Sequence, residues 1–114
     1  MSNCLFCRIA SGEIKTDFVY QDDQVVAFRD INPQAPVHVL VIPRKHVASL
    51  DDVKDEDAPL LAHLMATLGR LGREMEVHGS GYRVVTNHGA DAGQTVDHLH
   101  FHLLAGRPLA WPPG

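Results

Sequence analysis

His98-Leu99-His100-Phe101-His102-Leu103-Leu104 alternates imidazoles with large apolar side chains. Successive side chains of a strand point to opposite faces. A strand here therefore puts three histidines on one face and sends Leu99, Phe101 and Leu103 into a core. The pattern predicts the last strand over 95–104. Three imidazoles in a row stabilise a sheet poorly, because each needs a partner when buried and protonated neighbours repel. Two other readings are half-exposed strand histidines without a task and a metal site built from all three, since neutral imidazole is a common zinc ligand.

The stretch just before it, Gly89-Ala90-Asp91-Ala92-Gly93-Gln94-Thr95, is rich in turn residues. Its glycines let backbone N–H groups approach an anion, and Gln94 and Thr95 add side-chain donors. Alone this is a weak signal. Placed against an imidazole-bearing strand, it supplies what attack on phosphorus requires: a nucleophile in line and donors for the non-bridging oxygens.

Further upstream, 82–86 reads as a strand. Leu60, Leu61, Leu64, Leu68, Leu71 and Met75 follow one helical face, which predicts a helix over about 57–77. Asp55 or Asp57 suits its cap, Pro59 its first turn, and the stretch 79–81 its end. Residues 37–42 are apolar and β-branched, a buried strand stopped by Pro43, and 32–36 is a proline-bounded loop. Residues 18–20 and 25–28 form a hairpin across a polar turn. Residues 4–10 allow a helical turn or two. His63 and His78 fall outside these motifs and are expected to face solvent; His88 has no assigned role. There are no repeats and no linker. The layout is α+β, a single domain over 1–114 with a largely antiparallel sheet of about five strands and one long helix.

A chain of 114 residues with a net charge of −4 lacks the basic face of a nucleic-acid backbone binder. No apolar run approaches the roughly 20 residues of a membrane helix, and residues 1–9 do not form a signal peptide, so a cytoplasmic protein is expected. Cys4 and Cys7 form a CxxC, which in that compartment is more often a metal or redox site than a structural disulfide. A thioredoxin-like arrangement is set aside because nothing strand-like precedes Cys4.

The HxHxH stretch after Ala92-Gly93-Gln94-Thr95 resembles the signature of the histidine-triad (HIT) family. Three further stretches match: Asp30-Ile31-Asn32-Pro33-Gln34-Ala35-Pro36, His38-Val39-Leu40-Val41-Ile42-Pro43-Arg44-Lys45-His46, and Trp111-Pro112-Pro113-Gly114. Together they look like the Hint-like branch of purine nucleoside phosphoramidases, in its zinc-containing type, over essentially the whole chain. The resemblance implies a hydrolase that cleaves AMP or GMP derivatives, phosphoramidates among them, at the α-phosphorus. His100 would be the nucleophile and form a nucleotidyl-histidine intermediate. His102 would hold a phosphate oxygen, and His38 and Thr95 would complete the catalytic set. Transferase relatives carry Gln where this chain has His102, which favours a hydrolase.

By the same resemblance, Gly93, Gln94 and Thr95 would hold the phosphate, Asn87 the phosphate or the ribose, Asp30 the ribose hydroxyls, and Phe6, Phe28, Ile31 and Leu40 the base. Cys4, Cys7, His46 and His98 would bind one structural zinc per chain. A homodimer with a continuous ten-stranded sheet would bring the tail, with Trp111, to the partner's active site. The apolar face of Leu64, Leu68 and Leu71 and the 82–86 strand are the candidates for that contact. A nucleotide or zinc sensor working through partner contacts, and a dinucleoside polyphosphate hydrolase, are the rival functions; the Trp-Pro-Pro tail argues against the latter.

Overall fold

The computed structural model describes residues 3–114. A short helix α1 (Leu5–Ala10) leads into the hairpin β1 (Phe18–Gln21) and β2 (Val25–Arg29), then β3 (Val37–Pro43), the long helix α2 (Ala58–Glu74), β4 (Tyr82–Val85) and β5 (Phe101–Ala105). The strands form one antiparallel sheet in the order β1-β2-β3-β5-β4. This is the expected α+β architecture of five strands and one long helix.

Strand alternation divides the core in two. Val25, Ala27, Val39, Val41, Phe101 and Leu103 face α2 and pack on Leu64, Leu68 and Leu71. Val26, Phe28, Leu40 and Ile42 face the other way and pack on Phe6, Ile9 and Ala10 of α1. With both faces covered, β2 and β3 are buried almost throughout. Gly72 lets α2 approach the sheet, because a Cβ there would lie 2.6 Å from the Tyr82 ring.

Several expectations need correction. Leu64, Leu68 and Leu71 are at most 2% exposed and belong to the chain's own core, so they cannot form an intermolecular face. An amphipathic helix covers its own sheet before anything else, and each such side chain contributes about 1.5–3 kcal/mol by doing so. The last strand is shorter than 95–104. Its ladder begins at Phe101, because the preceding backbone is hydrogen-bonded elsewhere: Leu99 N–H donates to Val47 O (2.6 Å), and His100 O accepts from Thr86 Oγ1 (2.7 Å). The helix stops at Glu74, before the glycines. Glu76 adopts φ 60°, and the N–H groups of Val77 and His78 both return to Gly72 O.

Asp57 stands at the N-cap of α2, but its side chain does not cap the helix. The buried carboxylate accepts from Lys54 N–H (3.0 Å) and Lys45 Nζ (2.6 Å) and so ties the helix start to the segment carrying His46. His63 is not simply solvent-facing either: its Nε2 lies 2.6 Å from Asp22 Oδ2, which also accepts from Tyr20 OH at 2.6 Å. His78 is exposed as expected, and His88 is exposed too. No helix is long and apolar enough to cross a membrane among the described residues.

Candidate active site and metal centre

The register places Phe18 (β1), Phe28 (β2), Leu40 (β3) and His102 (β5) in one row across the α1 face of the sheet. Helix α1 lies over this row. Between them is a cavity of about 880 Å³. Of the residues expected to touch a nucleotide, Phe6, Phe28, Asp30, Ile31, Leu40, Thr95, His100 and His102 all line it. Leu5, Ile9, Val96 and residues 14–19 line it too, although the sequence reading did not single them out. Ile9 could have been found from its three-residue spacing to Phe6, and Leu5 from its four-residue spacing to Ile9. Asn87, Gly93 and Gln94 are not among the lining residues.

Three backbone donors of the loop before His98 are engaged within it: those of Gly89, Gly93 and Gln94. Gly93 N–H donates to Ala90 O and Gln94 N–H to Gly89 O. The Gln94 side chain accepts from Gly89 N–H and donates to Ala48 O and Val96 O, which staples the loop to the segment after β3. Of the expected cradle, Thr95 is the residue that reaches the cavity.

The imidazole tautomers follow from their partners. Gln34 N–H donates to His38 Nδ1 (3.0 Å), so the proton of neutral His38 is on Nε2. That N–H donates to His102 Nδ1 (2.8 Å), and the proton of neutral His102 is then on Nε2. Asp30 Oδ2 lies 3.4 Å from His38 Nε2, and Asp30 Oδ1 accepts from Asn32 N–H at 2.8 Å. Burial, reinforced by His100 and His38, pushes His102 down to about 4, so it is neutral near pH 7. Burial also lowers His38, against the opposing pull of Asp30. His100 donates from Nδ1 to His98 O (2.7 Å), which leaves the lone pair on Nε2. Its ring is 6% exposed, with Phe6 edge-on at 5.1 Å and His102 at 5.1 Å.

At the N-terminal end of α1, Cys4, Cys7, His46 and His98 bring their ligand atoms within 4.8 Å of one another. His98 Nε2–H donates to Pro43 O (2.8 Å), which turns the Nδ1 lone pair toward the thiols. The spacings are His46 Nδ1 to His98 Nδ1 3.3 Å, Cys4 Sγ to His98 Nδ1 3.3 Å, Cys7 Sγ to His46 Nδ1 3.3 Å and Cys7 Sγ to His98 Nδ1 3.5 Å. A zinc tetrahedron with Zn–N of about 2.05 Å and Zn–S of about 2.3 Å has N···N edges of about 3.3 Å and N···S edges of about 3.6 Å. The cluster can therefore hold a metal ion. Asp30, His38 and His102 also converge, but the Gln34 hydrogen bond puts a proton on the His38 nitrogen a metal would need, and the trio is a relay.

A single antiparallel sheet with a long helix on one face and a histidine-lined cavity on the other defines a histidine-triad fold. Comparison with known proteins agrees. The HIT domain profile matches residues 11–109. A HIT-like protein of Synechococcus elongatus is 51% identical over 110 residues, covering 96% of each chain. Among solved structures, a HIT family hydrolase from Legionella pneumophila superposes with a TM-score of 0.96 at 49% identity, covering 98% of this chain and 100% of that one. A histidine triad nucleotide-binding protein from Candida albicans gives 0.81 at 32% identity, covering 96% and 83%. The chain belongs to the HIT family.

Proposed function

We propose that the protein is a hydrolase of nucleoside 5′-monophosphate derivatives, phosphoramidates above all, working through a nucleotidyl intermediate on His100. The observation that carries the reading is the tautomer pair: His100 offers a lone pair at Nε2 beside a donor N–H on His102. The hydrolase and nucleotide-binding names of its structural relatives support it.

In the first step, His100 Nε2 forms a bond to the α-phosphorus while the bond to the leaving amine breaks, the amine taking a proton from solvent water that the hydrolysis step later returns. The ring becomes cationic, and its Nδ1–H then donates more strongly to His98 O. His102 Nε2–H and Thr95 steady the non-bridging oxygens, and His38 holds His102 in the donor tautomer. Water next cleaves the N–P bond, releasing nucleoside monophosphate and restoring His100. Asp30 receives the ribose hydroxyls, and Phe6, Phe28, Ile31 and Leu40 enclose the base. Asn87, Gly93 and Gln94 shape the loop around the phosphate.

Cys4, Cys7, His46 and His98 hold one zinc per chain; with four protein ligands its contribution is structural. The chain acts as one domain in the cytoplasm and pairs as a homodimer through the β4 edge, carrying Trp111 toward the partner's cavity. Trp111 is 78% exposed, while Arg83 of β4 anchors the tail through Ala110 O and Leu109 O and stacks over the indole.

The test is a turnover panel of adenosine and guanosine phosphoramidates and dinucleotides, with α-phosphate label trapped on the protein by alkaline quench. Label on wild-type protein and none on His100→Ala is expected. Undiminished turnover in His100→Ala would overturn the mechanism.

A further inference from the structure

The row Phe18–Phe28–Leu40–His102 gives the cavity a direction. It crosses four strands, three spacings of about 4.8 Å, or roughly 14 Å in all. At the β5 end stand His100, His102 and Thr95; Asp30 lies at the close of β2; the apolar middle is Leu40 and Phe28 under Phe6. At the β1 end the lining turns polar again, with Lys15, Thr16 and Asp17 immediately before Phe18. This end was no part of the expected site. Lys15 and Asp17 are exposed, and among the described residues neither takes part in an ion pair. By contrast, the Asp30 carboxylate already accepts a backbone N–H and faces His38.

A nucleotide whose phosphorus meets His100 and whose base lies over Leu40 and Phe28 extends its polar edge toward this β1 end. We infer that Asp17, with Lys15, reads that edge and selects guanine. This rests on the nucleotide reading above. Guanine presents two adjacent donors, N1–H and the 2-amino group, and one acceptor, O6. A carboxylate is acceptor-only and takes two parallel N–H bonds, while an ammonium suits O6. Adenine offers the carboxylate one donor group, its 6-amino, and no second N–H beside it. A site that hydrogen-bonds a substrate N–H discriminates against an analogue without it. Because the pair is open to water, the preference is moderate, about tenfold or 1.4 kcal/mol.

The experiment is titration of the full chain with GMP, IMP and AMP, which are products and are not turned over. Wild type binds GMP about tenfold tighter than AMP, with IMP between because it lacks the 2-amino group. Asp17→Ala brings GMP and IMP within about twofold of AMP, the remainder being the bond of Lys15 to O6, and changes AMP less than about twofold; Lys15→Ala weakens GMP and IMP, which share O6. Equal binding of GMP and AMP by wild type, or a guanine preference above about twofold that survives Asp17→Ala, overturns the inference and leaves the nucleotide reading standing. Failure of all three to bind overturns both.

Discussion

His98 and His100 stand two residues apart, yet one ends among sulfurs and the other in a cavity of imidazoles. The difference lies in which nitrogen a backbone carbonyl occupies. Pro43 O takes the Nε2–H of His98, so His98 presents Nδ1 to Cys4, Cys7 and His46. His98 O takes the Nδ1–H of His100, so His100 presents Nε2 to the cavity. The first cluster joins two cysteines to imidazoles and suits a cation. The second sets His100 beside the hydrogen-bonded pair His38 and His102, whose N–H donors suit an anion. Identical side chains on one segment acquire opposite chemistry from the carbonyls beside them.

The sharpest way to break this comparison is to exchange the consequences of damage. His100→Ala is expected to lower turnover of a nucleoside phosphoramidate by at least about a thousandfold, with mononucleotide binding and melting temperature close to wild type. The Cys4→Ser, Cys7→Ser double variant should do the reverse. Elemental analysis should find about one zinc per chain in wild type and none in the variant, with melting lowered by on the order of 10 °C. Full metal content in the double variant would show that the thiols are not ligands.

A subtler division concerns the relay. His38→Ala removes the group that fixes His102 as a donor, and kcat is expected to fall about 10- to 100-fold while KM changes little, as for outer partners that orient a working imidazole. A KM effect alone would assign His38 to ground-state binding.

The relay also has a pH signature. The folded His102 is held near 4 and an unfolded histidine is near 6.5, so the unfolded chain takes up the proton first as pH falls. Its contribution to stability is complete above about pH 6.5 and is lost as pH drops through the window down to about 4. Denaturation of wild type and His102→Asn across this range isolates it, since losses from the Cys4 cluster are common to both; a difference curve without slope would contradict the assignment.

The smallest effect belongs to a third histidine, outside both clusters. His63→Ala removes the half-exposed partner of Asp22 and should cost about 1 kcal/mol of stability without altering turnover. A loss of turnover would mean that the β1–β2 turn communicates with the cavity.

These contrasts also mark what the sequence made legible. The helical spacing of Leu64, Leu68 and Leu71 and the two-residue alternation of Leu99, Phe101 and Leu103 reflect burial on regular elements, so the α+β layout could be read directly. The alternation was legible even though 95–100 joins no ladder, because extended backbone alternates its side chains with or without a paired neighbour. Grouping Cys4, Cys7, His46 and His98 required the family resemblance, since their separation along the chain carries no geometry. The roles of Gln94 and His63 were not legible. Each is decided by a distant partner, Ala48 O for one and Asp22 for the other, which local pattern cannot specify. Lys15 and Asp17 look like ordinary surface charges until the register of β1 sets them at the end of the cavity.

Strand β4 has a practical consequence for handling the protein. It is paired with β5 on one side and stands at the margin of the sheet on the other, with Tyr82 and Val84 each 38% exposed. In the proposed homodimer a second copy covers this margin; in a separated chain it stands open, and an open margin with apolar side chains is a template for indiscriminate strand addition. The net charge of −4 gives such a small chain only modest colloidal protection, which weakens further near its isoelectric point of about 6.0. Mildly alkaline, dilute storage therefore favours clear solutions, and turbidity on mild acidification should begin at this edge. A lysine in place of Val84 would blunt this edge, and would weaken the proposed pairing of two copies along it as well.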